Sequence, residues 1–103
     1  MDLFRSKWSR RFAMEKTYRE EVERFVREIL RIEEEVIFSC RKNGHAYCGP
    51  NDWPNEARGW LKKGHENLRG LAKSIGLSVG QHRDYMDSIR SKLQSNSKIS
   101  RKL

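Results

Sequence analysis

The chain has 103 residues, 36% of them hydrophobic and 35% charged, with 22 Lys and Arg against 14 Asp and Glu for a net charge of +8. So short and polar a chain holds one small domain, or one small domain plus an extended helix, and such chains often gain stability by assembling. No apolar run approaches the ~20 residues that cross a bilayer, MDLFRSKWSRRF lacks the apolar centre of a secretory signal, and two cysteines are too few for a disulfide scaffold.

The expected setting is therefore cytoplasmic and reducing, with no membrane partner. The charge is unevenly placed: +3 over residues 1–16, −2 over 17–53 and +7 over 54–103. A basic half joined to a near-neutral segment suits a polyanion-binding module joined to an assembly module.

Residues 1–11, with Phe4, Trp8, Arg5, Lys7, Arg10 and Arg11, read as a basic flexible arm able to follow a nucleic-acid groove. Residues 12–42 contain neither Gly nor Pro and favour helix. Within them Tyr18, Val22, Phe25, Ile29, Ile32 and Val36 recur at intervals of 4, 3, 4, 3, 4, a heptad seam that predicts a homodimer. Val26, Leu30, Ile37 and Phe38 widen the stripe, so the helix is also expected to pack on its own domain. The run Glu33, Glu34, Glu35 has no histidine at metal-ligand spacing and reads as a solvated face.

Residues 43–53 are a turn-rich linker, marked by Asn43-Gly44, Gly49-Pro50 and Asn51-Asp52. Pro54, with Asp52 capping nearby, opens a predicted helix that runs to Lys63 and stops at Gly64. Two further helices are predicted over 66–75 and 78–94, and residues 95–103 form a basic tail. Cys40, His45, Cys48 and His65 invite a zinc reading, but C-x4-H-x2-C is not a standard ligand pair, and no metal is expected. Nor is there a Gly-rich phosphate loop, an H-E-x-x-H helix or a nucleophile elbow. No enzymatic activity, catalytic residue or cofactor is expected.

The segment Leu68–Leu93, LRGLAKSIGLSVGQHRDYMDSIRSKL, places Ala72 four positions before Gly76 and apolar residues at Leu71, Ile75, Leu77, Val79, Tyr85, Met86, Ile89 and Leu93. Two closely crossing helices need a small side chain at Ala72, and the corner between them favours glycine at positive φ. Ser78 is the natural N-cap of the second helix. These residues resemble the helix-turn-helix of bacterial transcription regulators, and GLSVG with the later SIR and KL is similar to the output domains of response-regulator and quorum-sensing activators. One position departs from that pattern: an aliphatic residue is usual after Gln81, where this chain has His82.

With the heptad seam, the resemblance implies an all-α fold in which a long N-terminal dimerisation helix is followed by a three-helix helix-turn-helix unit over 54–94. It implies a DNA-binding role, with Val79, Gln81, Arg83 and Asp84 reading base edges. Ser78, Lys62, Lys63, Arg69, Lys73, Arg90 and Lys92 would contact phosphates. The expected function is that of a sequence-specific, dimeric transcriptional regulator or an accessory factor of a phage or mobile element.

A second resemblance covers Asp52–Leu93, where DWPNEARGWLKKGHENLRGLAKSIGL is similar to the duplex-RNA-binding domain of influenza-type non-structural proteins. It implies a dimeric helical fold in which Arg58, Lys62, Lys63, Arg69 and Lys73 meet phosphates and 2′-hydroxyls without reading sequence. A third alternative is a helical protein–protein interaction module.

Overall fold

In the computed structural model, which describes residues 3–102 and the side chains of residues 13–95, all regular structure is helical. Helix α1 spans Leu3–Lys42, α2 Asn55–Ser74 and α3 Val79–Lys102. With no Gly or Pro to interrupt it, α1 continues through the segment expected to be a loose arm. Once a helix is nucleated, each added residue brings one hydrogen bond for one pair of dihedrals, so a run of good helix formers propagates. The same reasoning carries α3 into the segment expected to be a tail. The side chains of Arg5, Lys7, Arg10 and Arg11 lie outside those described.

Helix α1 ends in a double hydrogen bond around Gly44 (φ +77°). His45 N–H donates to the Cys40 carbonyl at 2.7 Å and Gly44 N–H to that of Arg41 at 3.2 Å. This left-handed closure satisfies two of the last free carbonyls and redirects the chain. The linker is then tied by Asp52, whose carboxylate accepts from Cys48 N–H at 2.5 Å, and by buried Trp53, whose indole N–H donates to the Tyr47 hydroxyl at 3.2 Å. Asp52 therefore holds the linker and does not cap α2, which begins behind Pro54 with no side-chain cap.

The break expected at Gly64 is absent: α2 is a single helix of 20 residues. Its lack of a side chain explains Gly64. The Phe25 ring of α1 occupies the space a Cβ there would need, so glycine permits a close crossing and the packing offsets its helix penalty of about 1 kcal/mol. Phe25 also packs at a tilt against Trp60 (centroids 4.9 Å apart) and meets the His65 ring edge-on at 5.1 Å.

The seam expected to join two copies is the chain's own core. Tyr18, Val22, Phe25 and Ile29 are buried, and Ile32 and Val36 pack half-buried against them. Helices α2 and α3 supply the covering surface, with Leu68, Ala72, Tyr85, Met86 and Ile89 packed against the α1 stripe. The unit over 54–94 is thus two helices, with α1 as the third layer. Helix α3 runs in the same sense as α1: Tyr18 meets Tyr85 at 5.4 Å, and Glu33 pairs with Arg90 at 2.7 Å.

Glycine's role is position-specific, and the sign of a substitution should follow. Gly64→Ala should lower stability by about 1–3 kcal/mol through overpacking against Phe25. Gly70→Ala, where a Cβ meets nothing within 4 Å, should raise it by about 0.5–1 kcal/mol. Urea unfolding of the two variants tests this, and equal effects would contradict the close crossing.

Candidate nucleic-acid interface

The corner between α2 and α3 is built entirely from local sequence. At Gly76 (φ +85°) Leu77 N–H donates to the Ala72 carbonyl at 2.9 Å and Gly76 N–H to that of Lys73 at 3.1 Å, closing α2 as α1 is closed. Ser78 and Gln81 then form a reciprocal capping box. Gln81 N–H donates to the Ser78 hydroxyl at 3.1 Å, and Ser78 N–H to the Gln81 amide oxygen at 2.8 Å. Ala72 is buried beneath the corner, as a close helix crossing requires.

Beside this corner α2 and α3 enclose an open groove of about 410 Å³, lined by Lys62, His65 and Arg69 from α2 and by Val79, His82, Arg83, Met86 and Asp87 from α3. Lys62, His65 and Arg69 fall at intervals of three and four, so they share one face of α2; Val79, Arg83 and Met86 do the same on α3. Of the expected nucleic-acid contacts, then, Lys62, Arg69, Val79 and Arg83 come together. Val79 is 74% exposed, and Arg83 is exposed.

The remaining expected contacts are distributed elsewhere. Lys73 is exposed one turn beyond Arg69 on the same stripe, which Arg58 extends at the other end. Lys63 is exposed about a third of a turn round α2, off that stripe. Asp84 and Lys92 are exposed but do not line the groove. Arg90 is turned to α1, where Glu33 holds it, so it is a tie between helices and not a free cation. Gln81 and Ser78 hold one another in the cap.

Among the described residues His82 is the buried polar one, 5% exposed. Its Nδ1 is 2.7 Å from the Tyr18 hydroxyl, while Nε2 is buried with no hydrogen-bond partner. Burial, reinforced by Tyr85, pushes the Tyr18 phenol up to about 12, so the hydroxyl keeps its proton. With the phenol as donor, Nδ1 accepts and the ring proton resides on Nε2. Burial first, then the positive charge of His65 and Arg69, holds His82 below the ordinary histidine value; His65 is held down by burial and by Arg69.

The sequence marked His82 only as a departure from an aliphatic pattern and His65 only as a stray metal ligand. The partner that explains His82, Tyr18, is 64 residues away. Asp87 and Met86 carried no signal of a groove. Among the described residues no group of three or more His, Cys, Asp or Glu is placed to hold a metal ion, and no helix is long and apolar enough to cross a membrane. No protein-family model, curated protein or solved structure matches the chain.

The two depressed histidines give stability a pH dependence of known sign. Above about pH 6.5, the ordinary histidine value, the imidazoles are neutral whether the chain is folded or unfolded. Below it the unfolded chain binds protons that the folded rings resist, so stability falls with falling pH until the folded rings titrate. Tm should therefore decline from about pH 6.5 towards 5, above the carboxylate range. His82→Asn, which keeps an acceptor for Tyr18, should flatten the decline; an unchanged slope would remove His82 as its source.

Proposed function

We propose that this chain binds duplex nucleic acid, DNA in preference to RNA, with the α2–α3 corner facing the duplex. The observation that carries this reading is the pairing of a helix-turn-helix type corner (Ala72, Gly76, Ser78) with a cationic groove at the exposed start of α3. Arg83 and Val79 stand at the amino end of α3, where a side chain can reach base edges in a major groove. Lys62, Arg69 and Lys73 form a stripe on α2 suited to successive phosphates. Gln81 serves the cap, so base discrimination rests on Arg83, with the Val79 side chain available for apolar contact. Because the apolar face of α1 is internal, the proposed unit of recognition is a single chain, and a palindromic site is not required.

A specific observation favours a second reading. Arg58, Lys62, Arg69 and Lys73 lie along one face of α2, an arrangement that could track the backbone of an A-form RNA helix without reading its sequence.

Fluorescence anisotropy with random-sequence duplex DNA and duplex RNA of equal length separates the two. For DNA, affinity should fall steeply with salt, and Lys62→Ala with Arg69→Ala should reduce the log–log salt slope by about 2. Arg83→Ala should erase about 1–3 kcal/mol of preference for a selected DNA site over random sequence. Tighter binding to RNA, with Arg83→Ala neutral, would replace the DNA reading by the RNA one. No binding to either at about 0.15 M salt would defeat both.

A further inference from the structure

We propose that the α2–α3 groove is a site for a phosphomonoester, such as the terminal phosphate of a nucleotide or polynucleotide, with His82 Nε2–H as its buried donor. The inference rests on the nucleic-acid reading and deepens it by naming the chemical group that the groove selects.

Charge is the first argument. Lys62, Arg69 and Arg83 face one carboxylate, Asp87, across the groove. Among the described residues none of the three cations is held in an ion pair, unlike Arg24, Arg27, Arg31 and Arg90. With both histidines neutral, two positive charges remain in excess. That matches the −1.5 to −2 charge of a phosphomonoester near neutral pH better than the single charge of an internal phosphodiester.

The second argument is independent and lies in the floor. A buried N–H without a partner is costly, and His82 Nε2 is such a group. Its ring is fixed from behind by Tyr18, which holds Nδ1 and so turns the opposite nitrogen away from α1. His82 lines the groove together with His65 and Arg69 of α2, so its ring stands at the wall they form. An oxyanion that accepts from Nε2 would satisfy it, and the long side chains of Lys62, Arg69 and Met86 can swing to admit one.

The third argument is shape. An internal phosphate of a duplex sits on a convex backbone with sugars on both sides and offers two free oxygens. A terminal monoester protrudes and offers three, so it can enter a groove and reach a donor at the floor while the cations at the rim hold its outer oxygens.

Side-chain ¹⁵N–¹H NMR of the histidines provides the readout, together with anisotropy on one duplex prepared with 5′-hydroxyl or 5′-phosphate ends. Inorganic phosphate and a nucleoside 5′-monophosphate are titrated separately. The expected result is movement of the His82 Nε2 resonance with the nucleotide, and binding at least about tenfold tighter for the 5′-phosphorylated duplex. His82→Asn, which keeps an acceptor for Tyr18 but is too short to place an N–H at the Nε2 position, should abolish that difference and leave binding of the 5′-hydroxyl duplex unchanged. If that variant does not fold, Arg83→Gln on the exposed rim is read in its place and should reduce the same difference.

Equal binding of the two duplexes with a motionless His82 overturns the phosphomonoester site while leaving duplex binding intact. A His82 response to the nucleotide with no duplex binding supports the site and defeats the nucleic-acid reading. Saturation by inorganic phosphate as tight as by the nucleotide supports the anion site with free phosphate as its source.

Discussion

The contact on which the rest of the architecture depends is the seating of the Phe25 ring over Gly64. A helix of 20 residues containing three glycines has weak intrinsic reasons to persist, and Gly64 would be expected to end it. The close approach turns the missing side chain into packing: α1 and α2 can cross at a distance that any Cβ would forbid. Because α2 then runs unbroken to Ser74, its far end carries Ala72 and Gly76 to the place where α3 must turn back along α1. The corner, and the groove beside it, inherit their position from that crossing.

A buried polar contact, Tyr18 with His82, complements this apolar one. A buried imidazole is tolerated when it is hydrogen-bonded, and Tyr18 meets that need at one nitrogen only. The pair ties α3 to α1 and fixes the ring's orientation, so the unsatisfied nitrogen has a defined direction. An aliphatic residue would pack the same space at lower cost. On the proposal of a phosphomonoester site, this nitrogen is the donor at the groove floor.

Electrostatics divide the molecule in the same way. On α1 the charges answer one another along the helix: Lys16 with Glu20, Arg24 with Glu21, Arg27 with Glu23, and Arg31 with both Glu28 and Glu35. Such exposed pairs contribute little stability, but between Lys16 and Glu35 they offset one another's charge. Lys62, Arg69 and Arg83 on the groove side of α2 and α3 are not neutralised in this way, and with Asp87 they leave a local surplus of positive charge there. Glu33 is the exception on α1, because it faces inward and draws Arg90 out of the set available to a polyanion.

The elements legible in the sequence are those built by neighbours. The 3.5-residue spacing from Tyr18 to Val36 marks α1 and its buried face, and Ala72, Gly76, Ser78 and Gln81 specify a corner whose hydrogen bonds all close within six residues. Their physics is local, so spacing alone reveals it. What covers the α1 stripe was decided by tertiary structure, since a heptad seam suits a second copy as well as it suits the chain's own helices. The fate of Gly64 depended on Phe25, 39 residues earlier. The pairing of His82 with Tyr18, the withdrawal of Arg90 to Glu33, and the convergence of Lys62, Arg69 and Arg83 depend likewise on residues far apart in the chain. Sequence determined the helical character of the chain, the corner and the surplus of positive charge; only the packing of α2 and α3 onto α1 determined which of those charges share a groove, because that requires distances between helices that no local pattern encodes.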